Sequence, residues 1–171
     1  PPAPERLPVI SPTYFKRTVG DLAWAALDFG TQINMPKPRG AAPRLGLKFE
    51  ALVCKELGKR FGHKFAPACP ISFQEIHRGP HSYSRPSTAI PDGLLLSGDS
   101  RSLCIIEIKL RHSYDAWAQL NRFYLPLMRR IVGTSLILRT LEICRYYDPG
   151  VSLPGGTEVI LKPEEVFESD P

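Results

Sequence analysis

Two apolar runs, residues 89–96 (AIPDGLLL) and 103–110 (LCIIEIKL), stand on either side of the polar segment SGDSRS. Runs of this length bounded by Gly, Ser and Asp read as β-strands joined by a turn. The register of such a hairpin is set by its turn. Asp92 and Glu107 are equally far from the turn's midpoint, which falls between Asp99 and Ser100. In a simple antiparallel hairpin they stand opposite each other, with Cβ atoms about 4.5–5.5 Å apart on one face. Two carboxylates that close repel unless a cation lies between them. An oxygen-only donor set of this kind suits Mg²⁺, with Mn²⁺ able to substitute. Lys109 follows Glu107 by two residues, so both side chains share a face, and Cys104, Ile106 and Ile108 form the opposite, apolar one. A lysine beside a metal can hold or deprotonate a water. The backbone carbonyl of Ile108 is a further candidate ligand.

The segments around this hairpin predict a mixed α/β chain. Residues 13–34 carry Val19, Leu22, Ala23, Ala26 and Leu27 at spacings of three and four, which predicts a helix. Residues 35–44 (MPKPRGAAPR) hold three prolines and a glycine and read as a basic linker. A second helix is predicted over 46–61, with Phe49, Leu52, Val53, Leu57 and Phe61 as an apolar stripe, Lys48, Lys55 and Lys59 on another face, and Gly62 as the stop. Glu50 lies at the edge of that stripe, where an inward-facing carboxylate needs a partner. Residues 71–77 predict a strand, 78–88 (RGPHSYSRPST) a loop, and 134–147 and 158–161 further strands. Ser113 caps a helix running to residue 131, with Trp117, Leu120, Tyr124, Leu127 and Ile131 on one face and Pro126 as an interruption. The fold class is therefore α/β: a mixed central sheet of about four strands in α-β-β-β-α-β order, flanked by helices, with an extra N-terminal helix. Residues 1–45 form an N-terminal helical extension and linker, and 46–171 the core domain.

Composition narrows the function classes. A chain of 171 residues with 43% hydrophobic and 23% charged residues is one ordinary globular domain. No apolar run nears the length of a membrane span, so no membrane partner is expected. The start, with Pro1, Pro2, Pro4 and Pro8 among polar residues, does not read as a secretory signal. Cys54, Cys69, Cys104 and Cys144 are scattered, without a C-x-x-C pair or clustered His. That predicts no zinc site and no disulfide framework, and an intracellular setting, cytoplasm or nucleoid. The net charge of +5 suits a polyanionic partner but does not require one.

Glu107 and Lys109 alone would read as a solvated pair on an edge strand, worth little. The register with Asp92, Pro91 before it, the apolar strand around them and Glu50 upstream favour a functional site. Pro91-Asp92, then Glu107-Ile108-Lys109 after 14 residues, resembles the signature of the PD-(D/E)XK nuclease superfamily, whose fold is that of restriction endonucleases. The segment GLKFEALVCKEL resembles the first core helix of its resolvase-like and RecB-like branches, with Glu50 in the glutamate position. The resemblance covers residues 46–143. It implies Asp92 and Glu107 as metal ligands, Lys109 as the residue that positions the attacking water, and Glu50 as a fourth member of the site. RecB-like members carry a Gln and a Tyr in the next helix; here that helix offers Gln119 with Phe123 and Tyr124, the tyrosine out of step by one. Some RecB-like relatives hold an iron–sulfur cluster on cysteines near the C-terminus; only Cys144 lies in that region, so no cluster is expected.

These readings converge on a Mg²⁺-dependent deoxyribonuclease of low sequence specificity, serving DNA recombination, repair or processing. The expected substrate is a nucleic acid, DNA before RNA, whether single-stranded, double-stranded or branched. The candidate DNA contacts are Arg78, His81, Tyr83 and Arg85 in the loop, Arg111 and His112 after the lysine, and Gln119 and Arg122 on the helix, with His77, Arg129 and Arg130 nearby. They would hold phosphates without reading sequence. Two other readings stay open: a homodimeric Holliday-junction-type resolvase, and a catalytically inactive nucleic-acid-binding domain of the same fold.

Overall fold

Asp99 closes the turn that the sequence implies. Its Oδ1 accepts from Ser97 Oγ at 2.6 Å and from Arg101 N at 3.0 Å, and Ser97 N donates to Ser102 O at 2.9 Å. Lys64 Nζ clamps the turn from outside, donating to Ser97 O, Gly98 O and Ser100 Oγ. The flanking strands, β5 (Gly93–Leu96) and β6 (Ser102–Arg111), pair antiparallel with Gly93 opposite Ile106 and Leu96 opposite Leu103. Continued by one residue, that register sets Asp92 opposite Glu107.

The computed structural model describes residues 17–28, 41–76, 86–151 and 153–161. Before the hairpin come β1 (Leu22–Leu27), α1 (Ala41–Phe61), a 3-10 turn (Gly62–Lys64), β2 (Phe65–Pro67), β3 (Ile71–Glu75) and β4 (Ser87–Ala89). After it come α2 (Tyr114–Ala118), a π-helical turn (Gln119–Tyr124), α3 (Leu125–Val132), β7 (Ile137–Tyr146) and β8 (Thr157–Ile160). A five-stranded mixed sheet has the order β2-β5-β6-β7-β8, and a three-stranded antiparallel sheet the order β1-β3-β4. β6 and β7 pair in parallel, as do β7 and β8.

The two sheets are one hairpin ladder broken in the middle. Phe65 pairs with Leu95 and Phe73 with Ser87, so eight residues forward on one strand match eight back on the other, with no slip of register. The break falls at residues 68–70 and 90–92, where Pro70 and Pro91 have no N–H to give a ladder. The last rung before it is Ala68 N to Asp92 O at 3.0 Å, with Ala68 at φ 46°. Asp92 thus stands where the hairpin parts into two sheets.

Along β6 the side chains alternate between two cores. Cys104, Ile106 and Ile108 pack with Val53 and Leu57 of α1. Leu103 and Ile105 pack with Leu120, Tyr124, Leu127 and Met128 of the second helical run. Glu107 and Lys109 continue the second face. α1 ends at Phe61, where Gly62 takes φ +58°, as its stop requires.

Four expectations need correction. Residues 22–27 form a strand, not a helix: Leu22–Leu27 pairs antiparallel with β3. The small side chains of LAWAAL suit a helix locally, but the free edge of β3 takes them as a strand, a case of tertiary pairing overriding propensity. The rest of the predicted N-terminal helix, 13–16 and 29–34, lies outside the described residues. α1 begins at Ala41, inside the segment read as linker, because Pro43 in a first turn gives up only an N–H that the helix leaves unused. Leu52, counted in the apolar stripe, is 59% exposed, since it points away from the Val53–Leu57 contact with the sheet. Among the described residues the central sheet has five strands where about four were expected: β2 and β8 belong to it, and the strand predicted at 71–77 joins, as β3, a second sheet of three. No helix among the described residues is long and apolar enough to cross a membrane.

Candidate active site and a buried His-Glu-Cys group

Glu107 is the most buried member of the predicted site, 4% exposed. Its Oε1 lies 3.2 Å from Lys109 Nζ, while its Oε2 is buried and meets no hydrogen-bond donor. Burial, then the nearby Asp92 charge, push its pKa from an ordinary 4.5 up to about 8. Asp92 Oδ2 accepts from Ile108 N at 2.7 Å. Burial also raises Asp92, against the pull of that backbone hydrogen bond and of Lys109. Glu50 comes from α1, on the far side of the sheet, and reaches Asp92 past the end of β5. Burial, and then Asp92, raise it to about 7. The three carboxylates form a chain with Asp92 in the middle, in hydrogen-bond reach of Glu50 on one side and Glu107 on the other. Two ionised carboxylates cannot hydrogen-bond, so each contact holds either a proton or a cation.

Ile108 N faces Asp92, and a strand residue's N–H and C=O point to the same edge. Its carbonyl therefore faces the Asp92 edge, past the last β5 pair. Lys109, about a third exposed, is the member that solvent reaches most easily among Glu107 and itself. The structure thus brings Glu50, Asp92, Glu107, Ile108 and Lys109 together.

Tyr124 joins them, a residue that spacing alone put out of step. The helix from Tyr114 to Val132 carries a π turn over Gln119–Tyr124, closed by Leu125 N to Leu120 O. Pro126 cannot donate to the Arg122 carbonyl four residues back, and Val19 N donates to it instead at 3.2 Å. The wider turn spaces Gln119 and Tyr124 one helical turn apart. Tyr124 Oη donates to Ile90 O at 3.2 Å, just before Pro91. Burial and the charges of Glu107, Asp92 and Glu50 raise its pKa, so it stays a neutral phenol. Gln119 Oε1 is buried without a donor.

The predicted nucleic-acid contacts divide. Arg111 is exposed at the end of β6. Arg122 is exposed and lies over the Tyr114 and Trp117 rings at 5.8 and 5.6 Å. Arg129 and Arg130 are exposed, and Arg130 donates to Ala23 O. Arg78, His81, Tyr83 and Arg85, with His77, lie outside the described residues. His112 does not belong on such a surface. It is 6% exposed, with Nδ1 2.8 Å from Glu142 Oε2 and its ring stacked on Tyr147 at 4.9 Å, because its N–H bonds Tyr146 O and draws it against β7.

That contact exposes a group which sequence spacing missed. Among the described residues, the side chains whose ligand atoms all fall within 4.8 Å of one another are His112, Glu142 and Cys144, and all three are buried. This group could hold a metal ion, contrary to the expectation that the histidines and cysteines form none. Its members are far apart in sequence and meet only because β6 and β7 pair in parallel, with Glu107 beside Glu142 and Lys109 beside Cys144. A lone glutamate in the apolar run LEIC was the signal available. Burial raises Glu142, and His112 then lowers it; burial and Glu142 push the Cys144 thiol up to about 12. All four cysteines are free.

Comparison of the chain with protein-family models, with curated proteins and with solved structures finds no match.

Proposed function

We propose that the chain is a divalent-metal-dependent nuclease that hydrolyses phosphodiester bonds, with DNA as its substrate. The observation that carries this reading is Asp92 opposite Glu107, the inner oxygen of Glu107 lacking a donor, with Lys109 at 3.2 Å. An orphaned buried carboxylate oxygen among three acids fits the donor set of a cation site. Asp92, Glu107 and the Ile108 carbonyl would hold Mg²⁺ or Mn²⁺, with Glu50 on the outer side. Such an ion supplies Lewis-acid polarisation of a phosphoryl oxygen and charge to offset the acids.

The chain's own groups account for the rest. Ile108 N fixes Asp92 through Oδ2, so the other oxygen is presented without rotamer search. Lys109 Nζ, anchored on Glu107 Oε1, can hold a water in line with phosphorus and stabilise charge developing on the phosphoryl oxygens. Glu50, in hydrogen-bond reach of Asp92, is placed to take the proton of that water. Tyr124, hydrogen-bonded to Ile90 O, buttresses the backbone leading into Asp92. The net charge of +5 favours a polyanion in general, and exposed Arg111 places one cation two residues from Lys109.

Plasmid, linear and branched DNA, each incubated with Mg²⁺, Mn²⁺ or EDTA, test the reading. Cleavage that EDTA stops is the expected result. Folded protein that binds DNA yet leaves every substrate intact with both metals would establish the silent-domain reading instead.

A further inference from the structure

The structure assigns a second metal site, built from residues other than the proposed acids: we infer that His112 Nδ1, Glu142 Oε2 and Cys144 Sγ bind one thiophilic divalent ion of the zinc class. The donor set decides the class. One imidazole, one carboxylate and one thiolate suit zinc or cobalt, whereas magnesium takes oxygen donors alone. The three ligand atoms already lie within 4.8 Å of one another. They sit on ordered elements: Glu142 and Cys144 two residues apart on β7, and His112 just past β6. Ser113 N donates to Glu142 Oε1 at 3.2 Å, and this bond orients the carboxylate as an outer-shell partner orients a ligand. Ser113 is also the N-cap of α2, accepting from Ala116 N, so the group ties β6, β7 and the second helical run together.

The fit requires small movements: any ligand pair near the 4.8 Å limit must close by about 1 Å, and the closest pair must open. Ligands at about 2.0–2.3 Å from a tetrahedral ion stand roughly 3.3–3.7 Å apart. The His112–Glu142 contact of 2.8 Å must therefore open by about 0.5 Å as the ion replaces the shared proton. Access is short, since Tyr147, which stacks on the His112 ring, is itself 50% exposed. With three protein ligands, the fourth position is left to water or a further donor. A staple at this place would hold the C-terminal end of β6, and with it Lys109, against β7.

Cobalt(II) added to the metal-stripped 171-residue chain tests the assignment, because thiolate ligation gives a near-ultraviolet charge-transfer band that oxygen ligands do not. One equivalent should produce the band in the wild-type chain and in Asp92→Asn. Cys144→Ser and His112→Asn should lose it, with unchanged far-ultraviolet circular dichroism as the check of folding. In parallel, saturating zinc should raise the melting temperature of Asp92→Asn by roughly 5–10 °C, and that rise should vanish in Cys144→Ser. Folded wild-type protein that gives no band and no zinc-dependent shift overturns the site. A band that survives in Cys144→Ser also overturns it, by assigning the sulfur to another cysteine. None of these outcomes depends on nuclease activity.

Discussion

Glu107 is electrostatically strained in the candidate site. Its carboxyl titrates near 8 and that of Glu50 near 7, against an ordinary 4.5 for both, chiefly because burial disfavours the charged form. The folded chain then binds more protons than the unfolded one between pH 4.5 and about 8. Stability conferred by these groups is complete at the acid end of that window, falls as pH rises through it, and is lost above the folded pKa. We predict that the melting temperature of the metal-free protein falls across this window more steeply in the wild type than in Glu107→Gln, as calorimetry at stepped pH would show. Mg²⁺ at the alkaline end should recover part of the loss. Lys109 gives a complementary test. It is about a third exposed, so Lys109→Ala should still fold, at a somewhat lower melting temperature because Glu107 Oε1 loses its partner. The same variant should reduce the initial cleavage rate at least about 10²-fold. A variant that cleaves normally would remove the lysine from the mechanism.

At the scale of elements, the hairpin is the sensitive point. A Cβ on Gly93 would lie 2.6 Å from Phe65 Cε2 and 3.1 Å from its Cζ. Phe65 is 7% exposed and packed in the core, so it has little room to yield. Gly93→Ala should destabilise the fold by about 1–3 kcal/mol by urea titration, and lower cleavage as well, since Asp92 is the next residue. The hairpin was legible in the sequence because its determinants are local: SGDSRS sets the turn, the turn sets the register, and the register sets Asp92 against Glu107. The helical run from Tyr114 and its Ser113 cap were legible for the same reason. β1 was not, because LAWAAL becomes a strand only through pairing with β3, about fifty positions away in sequence. Pro70 and Pro91 are visible, yet that they break one ladder into two sheets follows only from their being nearly opposite. The π turn was likewise hidden: Pro126 announces an interruption, but not that Val19 takes the freed carbonyl and Tyr124 comes into step. The His112–Glu142–Cys144 group depends on parallel pairing of β6 with β7, which no local pattern encodes.

At the scale of the whole molecule, two cores sandwich the sheet, and the acids emerge where the hairpin splits. α1 contributes Glu50 from one side and the second helical run contributes Tyr124 from the other, so neither layer alone completes the site. Contacts to DNA phosphate by a chain of net charge +5 predict salt-sensitive binding. Affinity of the Lys109→Ala chain for duplex DNA, measured by anisotropy without divalent ions, should fall steeply between 50 and 200 mM salt, about tenfold or more. Arg111→Ala should flatten that slope, whereas His112→Asn, a buried change, should leave it as it is. As proposed, Asp92 and Glu107 form one cation-dependent centre of phosphodiester cleavage. Its most direct test is the initial rate of plasmid cleavage as Mg²⁺ is titrated into the wild-type, Asp92→Asn and Glu107→Gln chains side by side. A saturable, EDTA-reversible rate in the wild type, and none above background in either variant at any Mg²⁺ concentration, is the outcome predicted; equal rates in all three folded proteins would contradict it.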